Sequence, residues 1–280
     1  MQTYRIMSNN IWRCDENNEV WAAMGADCSV EVRVEGLFRV YKEKQPDILG
    51  LQECSPYMAD LLMRRFAENC MPYTLVWGKD TPIIYRTDKF ELVHTEFCIY
   101  PETVPGLPGC FNNSLTKSYC IAVLRDKKSG SKLIFATTHL WWKSDDPTSK
   151  SYQLFSDAAR AHQITSLTKR LHVLEAEYKC PVVVVGDMNA VYSSNAVQAA
   201  LKRGFCHAHD IAAEYADETY GMHYCYPDGF DTAPYEGTFY DSIDHILVRG
   251  ALDVRRFERY APDYYMPVSD HFPVWIDAEF

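Results

Sequence analysis

Short, densely apolar runs alternate along the chain with stretches of helical periodicity. Strand-like runs fall at YRIMSN (4–9), DILGLQ (47–52), YTLVW (73–77), PIIYR (82–86), YCIAVL (119–124), KLIFATTHL (132–140), VVVV (182–185), IDHILV (243–248) and PVWIDAEF (273–280). Between several of them the apolar positions recur at helical spacing. Residues 30–44 carry Val34, Leu37, Phe38 and Tyr41, and residues 56–68 carry Met58, Leu61, Leu62 and Phe66. The longest helix is expected from about Ser156 to Tyr178, with Ala159, Ile164, Leu167, Leu171 and Leu174 facing inward. Strands in hairpin-like succession mixed with single helices predict an α+β fold, two sheets packed face to face with helices outside. No polar linker divides residues 1–280, so one domain is expected.

Four consecutive β-branched residues between Pro181 and Gly186 predict a central strand buried on both faces. That strand runs into Asp187 and Asn189. If the backbone stays extended past the glycine, the two side chains point the same way; for the segment in isolation an Asx turn is the plainer reading.

Other apolar runs end in the same manner. Asn9 and Asn10 close the first, Glu53 follows LGLQ, His139 ends TTH, Asp244 opens DHILV, and Asp270 and His271 precede the last strand. Oxygen ligands such as Glu53, Asp187, Asn189 and Asp270 suit a hard divalent cation, and His139 and His271 supply groups that titrate near neutrality. Together they suit metal-assisted phosphoester hydrolysis. Each has a structural alternative. Glu53 equally fits a capping acid before SPYM, and Asp270 a turn former before Pro273. Asp244 is harder to explain away, because an acid opening a buried strand needs a partner; His139 is the expected one.

The ordered set SNNIW, LQE, THL, GDMN, SIDHI and SDHFPV resembles the endonuclease/exonuclease/phosphatase superfamily over nearly the whole chain. The resemblance implies a four-layer α/β/β/α sandwich with the site where the sheets open at one edge. It implies Asn10, Glu53 and Asp270 at a Mg²⁺ or Mn²⁺ ion and Asp187 on the attacking water. It further implies Asn189 on a phosphoryl oxygen, His139 as acid or phosphate ligand oriented by Asp244, and His271 on phosphate or acting as base. Lys117 lies where relatives place a phosphate-contacting base, and it also reads as an ordinary exposed lysine. Asp80 is a weak match to an acid supporting the last histidine. Arg160 and Gln163, on the long helix, either steady the site from behind or belong to a solvated face.

Composition bears on the substrate. A formal charge of −10 offers no basic footprint for duplex nucleic acid, which favours a small phosphorylated molecule or lipid head group over a nuclease substrate. Trp141 and Trp142, with Tyr220 and, in the 221–240 loop that follows it, Tyr224, Tyr226, Phe230, Tyr235, Phe239 and Tyr240, could stack on a base or sugar. A nuclease acting on single-stranded or damaged nucleic acid is therefore the alternative. A catalytically silent binding module would have lost a core residue, and every core position is filled. The long 101–117 loop is also expected to carry function. Ten cysteines without a CxxC pair predict buried thiols in a reducing compartment. The sequence as given shows no leader-like or membrane-spanning run, so a cytoplasmic location is expected, with secretion only if a leader was removed; a monomer is expected.

Overall fold

The four valines show how the fold is assembled. In the computed structural model, which describes residues 2–13, 27–215, 225–226, 229–230, 241–265 and 267–280, Val183 and Val185 point into one core while Val182 and Val184 point into another. All four are fully buried, each worth roughly 1.5–3 kcal/mol of transfer from water. Their strand is the inner layer between two apolar interfaces.

Among the described residues the strands are β1 (Thr3–Asn10), β2 (Ile48–Gln52), β3 (Tyr73–Val76), β4 (Ile83–Arg86), β5 (Phe90–Ile99), β6 (Ser118–Asp126), β7 (Lys132–His139), β8 (Val182–Asp187), β9 (Cys206–His207), β10 (Glu214–Tyr215), β11 (Cys225–Tyr226), β12 (Gly229–Phe230), β13 (Asp244–Arg249), β14 (Asp253–Arg259) and β15 (Val274–Glu279). The helices are α1 (Val30–Lys44), α2 (Pro56–Glu68), α3 (Ser156–Tyr178), α4 (Asn195–Leu201) and α5 (Ala208–Ile211). A seven-stranded sheet runs β10-β14-β15-β1-β2-β4-β3, a six-stranded sheet β5-β6-β7-β8-β13-β9, and β11 pairs with β12 apart from both.

Between the large sheets, Ile6, Ile48, Ile83 and Ile276 meet Ala122, Leu124, Phe135, Val183 and Ile246. Helices α1 and α2 cover the outer face of the first sheet, with Leu37, Phe38, Leu62 and Phe66 on Met7, Leu49 and Ile84. Helix α3, with its predicted stripe buried, covers the second together with α4. This is the expected four-layer sandwich.

The expected elements appear with ends shifted by a residue or two. Missing from the sequence reading are the short elements β9, β10, β11, β12, α4 and α5 and the two longer strands β5 and β14. FELVHTEFCI has alternate positions exposed at the sheet margin, and DVRRFER is mostly charged, so neither shows the apolar run of a doubly buried strand. Gly186 is not where the chain leaves the sheet; β8 continues through Asp187. The glycine is required for a different reason. Its φ is 148°, and a Cβ there would lie 1.9 Å from Thr138 O, so only glycine lets β8 lie against β7 at this point.

Candidate active site

Sheet register brings the polar strand ends together. In the second sheet Ser118 pairs with His139, His139 with Asp187, and Asp187 with Asp244. In the first sheet Asn10 pairs with Gln52, and Glu53 follows in the left-handed region at φ 58°. The sheets are linked at this edge by the Asn10 amide, whose Nδ2 donates to Asp187 Oδ2 (2.9 Å) and lies 3.5 Å from Glu53 Oε1. Asn10 Oδ1 accepts the Trp12 N–H (2.9 Å). Asn10 thus links the two carboxylates through its amide nitrogen. Glu53 is not the helix cap; Ser55 is, accepting the Met58 N–H at 3.1 Å.

The Asx turn at Asp187 is formed. Asp187 Oδ1 accepts the Asn189 N–H (2.8 Å), while Oδ2 faces the site. Asn189 is itself left-handed (φ 48°), so the two side chains are arranged by a turn and not by an extended backbone; Asn189 Nδ2 donates to Leu140 O (3.1 Å). The loop after it is braced from beneath by two buried histidines. His245 Nε2 donates to Ala190 O (2.7 Å), His207 Nε2 lies 3.0 Å from His245 Nδ1, and His207 Nδ1 accepts the His209 N–H (3.2 Å). The carbonyl and the amide at the two ends fix both tautomers. Burial holds His207 well below the ordinary histidine range and His245 at about 4.

The expected Asp244–His139 pair is not formed. Asp244 Oδ2 instead binds His271 Nδ1 at 2.7 Å, because β13 places the acid beside the loop entering β15. Burial opposes charge on His271, but Asp244 and Asp270 outweigh it and hold its pKa well above the ordinary value. His139 is fully enclosed and its Nε2 lies 2.6 Å from Lys117 Nζ. Burial, then the lysine charge, keeps its pKa well below the ordinary value. The two histidines therefore sit in opposite protonation states, a neutral His139 and an imidazolium at His271.

Three ligand-type atoms from Glu53, His139 and Asp187 lie within 4.8 Å of one another. His271 Nε2 is 3.9 Å from Asp187 Oδ2 and 3.8 Å from Asp270 Oδ1. Asp270 Oδ1 is buried and makes no hydrogen bond among the described residues. Burial raises Asp187 to about 6 and Asp270 to about 7, in both cases against the pull of His271. An orphaned carboxylate oxygen and a convergent set of acids that resist ionisation fit a hard divalent cation.

Lys117 is not an exposed lysine; it is 5 % exposed. Its backbone is pinned by Asn112, whose Oδ1 accepts the Lys117 N–H (2.9 Å) and whose Nδ2 donates to Lys117 O (2.9 Å) and Tyr100 O (2.6 Å). Asn112 was missed from sequence because an asparagine in a Gly/Pro/Asn-rich loop reads as turn chemistry. Trp141 is buried against Phe111 (6.3 Å, edge to face) and is no stacking platform; Trp142 is 48 % exposed. Arg160 and Gln163 do not lie on a solvated face. Gln163 Oε1 accepts the Trp141 N–H (2.9 Å), and Arg160 Nη1 donates to Lys143 O (2.5 Å), so both hold the loop that follows His139. Asp80 pairs with Arg13 (2.7 Å), not with the last histidine. Cys28, Cys54 and Cys120 are buried thiols as expected, whereas Cys70, Cys110 and Cys206 are exposed. Of the predicted aromatic rim, Tyr220, Tyr224, Tyr235, Phe239, Tyr240 and the side chains of Tyr226 and Phe230 lie outside the described residues.

Residues 10–271 match the model of the endonuclease/exonuclease/phosphatase family, and the chain belongs to that family, whose members hydrolyse phosphoester bonds. Over 225 residues it is 24% identical to the CCR4-Not complex 3'-5'-exoribonuclease subunit Ccr4 of Debaryomyces hansenii, covering 68% of this chain and 26% of that protein; the chain spans about a quarter of that relative's length. Among solved structures, a mannosyl-6-phosphatase of Bacteroides thetaiotaomicron shares the fold with a TM-score of 0.74 at 21% identity, covering 99% of this chain and 100% of that one. The human Nocturnin catalytic domain with bound sulfate does so with a TM-score of 0.68 at 20% identity, covering 99% and 94%. Among the described residues no helix is long and apolar enough to cross a membrane.

Proposed function

We propose that the chain is a divalent-metal-dependent phosphoester hydrolase acting on a small phosphorylated molecule or phosphorylated head group. The observation that carries this reading is the facing of Glu53, Asp187 and Asp270 by Lys117 and a protonated His271, with one Asp270 oxygen left without a hydrogen bond among the described residues. Glu53 and Asp270 would hold Mg²⁺ or Mn²⁺. When bound, the cation supplies charge for the phosphoryl oxygens and acidity for a water.

The residues divide the remaining work. Asp187 Oδ2, oriented by the Asn10 amide, accepts a hydrogen bond from the attacking water and sets its line of approach. The His271 imidazolium, held by Asp244, presents Nε2–H to the phosphoryl group and stabilises the charge that develops there. Lys117 contributes a second cation from the other side, fixed by its contact with neutral His139. Asn189 has one amide hydrogen on Leu140 O and a second for a phosphoryl oxygen.

The similarity to a mannosyl-6-phosphatase supports the small-molecule reading, as does the net charge of −10. The similarity to an exoribonuclease subunit, with Trp142 exposed three residues beyond His139, favours single-stranded nucleic acid as the second reading. Hydrolysis of p-nitrophenyl phosphate and of bis-p-nitrophenyl phosphate, with Mg²⁺, Mn²⁺ or chelator and with D187A as control, tests the class. No turnover of either compound together with no cation binding by calorimetry would exclude it. A panel of sugar phosphates, phospholipids and short oligonucleotides then separates the two substrate readings.

A further inference from the structure

Arg33 stands on α1, in the outer layer, yet it is fully buried. Among the described residues its Nε donates to Val268 O (2.9 Å), and its Nη2 donates to Ile11 O (3.0 Å) and Trp12 O (2.8 Å). Its guanidinium carbon lies 4.8 Å from the Trp12 ring centre. Ile11 and Trp12 directly follow Asn10, and Val268 precedes Ser269, Asp270 and His271. A single side chain thus holds the two segments that carry three of the site's residues, one from each side of the β1–β15 pair.

Neither segment is held by regular structure where the arginine grips it. Trp12 and Arg13 are in the left-handed region at φ 47° and 25°, a conformation unfavourable for a non-glycine residue that persists only where surroundings enforce it. On the other side, Gly36 is one turn along α1 from Arg33, and a Cβ at Gly36 would lie 2.2 Å from Val268 Cγ2. The helix backbone therefore closes directly on the loop. Ser269 adds a parallel tie, donating from Oγ to Asn10 O (2.7 Å) and accepting the His271 N–H (3.1 Å). A planar guanidinium reaches the carbonyls of both loops at fixed angles, which a lysine ammonium on a flexible stem does not reproduce.

We propose that Arg33 is a positioning residue, clamping the loop after β1 to the loop before β15 so that Asn10, Asp270 and His271 stand in one fixed relation. The clamp rests on the reading of the site given above, and it predicts that a side chain contacting neither substrate nor cation controls how tightly the cation is held. Substitutions behind a metal site typically weaken it 10–100-fold.

The test is hydrogen–deuterium exchange over residues 9–13 and 267–271, paired with calorimetric Mn²⁺ titration, for wild type, R33K and G36A. For R33K, exchange is expected to quicken in both segments together while residues 119–124 of β6 stay protected, and the Mn²⁺ dissociation constant to rise by about 10-fold or more. G36A keeps the arginine but displaces Val268; it is expected to loosen 267–271 and weaken Mn²⁺ binding, a second route should R33K fail to fold. The proposal is overturned if R33K loosens only one segment or neither, or if both loosen with Mn²⁺ affinity unchanged. Absence of Mn²⁺ binding by the wild type would instead sink the metal reading of the site, and the exchange pattern alone would then decide the clamp.

Discussion

At the edge of the seven-stranded sheet where β1 begins, acids and bases are matched. Arg5 grips Asp277 through Nε (2.9 Å) and Nη2 (2.8 Å), Asp47 takes the Lys89 ammonium and the Arg5 N–H, and Lys44 reaches Glu258 at 3.1 Å. At the edge where β1 ends, Glu53, Asp187, Asp244 and Asp270 crowd around Lys117 and His271, and Asp187 and Asp270 are pushed up to about 6 and 7. The two ends of one strand differ in outcome: at the partly exposed end paired charges describe a closed structural network, whereas at the buried end carboxylates held against their preference describe a site with a further positive charge to accommodate. Accumulated charge at a strand end is therefore not the mark of a site. Uncompensated charge is.

The largest effect expected at the unmatched edge is on activity. D187A removes the group that aligns the water, and turnover should fall by about 10³-fold or more, at the upper end of what a positioned proton acceptor contributes. Steady-state kinetics on the best phosphoester found would show it; a loss under tenfold would break the contrast between the edges. K117M should cost about 10²-fold in kcat/KM, the scale of one preorganised electrostatic contact, and should also release His139, whose ring would titrate closer to its ordinary range by NMR.

Stability with pH gives a third, smaller effect, at the two histidines beneath the loop that follows Asn189. His207 and His245 are neutral in the fold, with His245 held at about 4. Their folded pKa values are lowered, so the unfolded chain binds more protons below about pH 6.5 and stability falls as pH drops from there toward 4. On the order of 3 kcal/mol rides on His245 across that window. Chemical denaturation of wild type and of H207Q, which keeps a donor toward His245, at pH 7.5, 6 and 5 isolates this part: the raised Asp187 and Asp270 act alike in both proteins, so the wild type should lose stability relative to H207Q as pH falls.

The smallest effect belongs to the matched edge. R5A breaks a half-exposed bidentate pair and should cost about 1 kcal/mol of stability while leaving turnover unchanged. A drop in turnover there would remove the distinction between the two edges.

Much of this was legible in the sequence. The four valines, the helix 156–178 and the set of polar strand ends are strong because each is a doubly buried run, a long periodic stripe or an ordered motif. Edge strands such as β5 were not legible, since half of their positions face water and carry charge. Within the site, residue identities were readable but pairings were not. Asp244 was matched to His139 from chemical plausibility, yet β13 places it beside the chain entering β15, where His271 takes it. Lys117 and Asn112 show the same limit, because burial of a lysine depends on a loop that folds over it and leaves no periodic signal.

The central claim is that the β1 exit edge is built around a cation. For Asp187 and Asp270 the folded pKa values are raised, so their contribution to stability is present below about pH 4 and is lost as pH rises through 6 and 7. At pH 8 without a cation, both acids should burden the fold. Thermal melts at pH 8, in chelator and in Mg²⁺ or Mn²⁺, for wild type and D270N, test this most directly. The expected result is a wild type stabilised by the cation, and a D270N protein that melts higher than wild type in chelator yet gains little from the cation. A wild type indifferent to the cation, with D270N melting lower than wild type in chelator, would contradict the account.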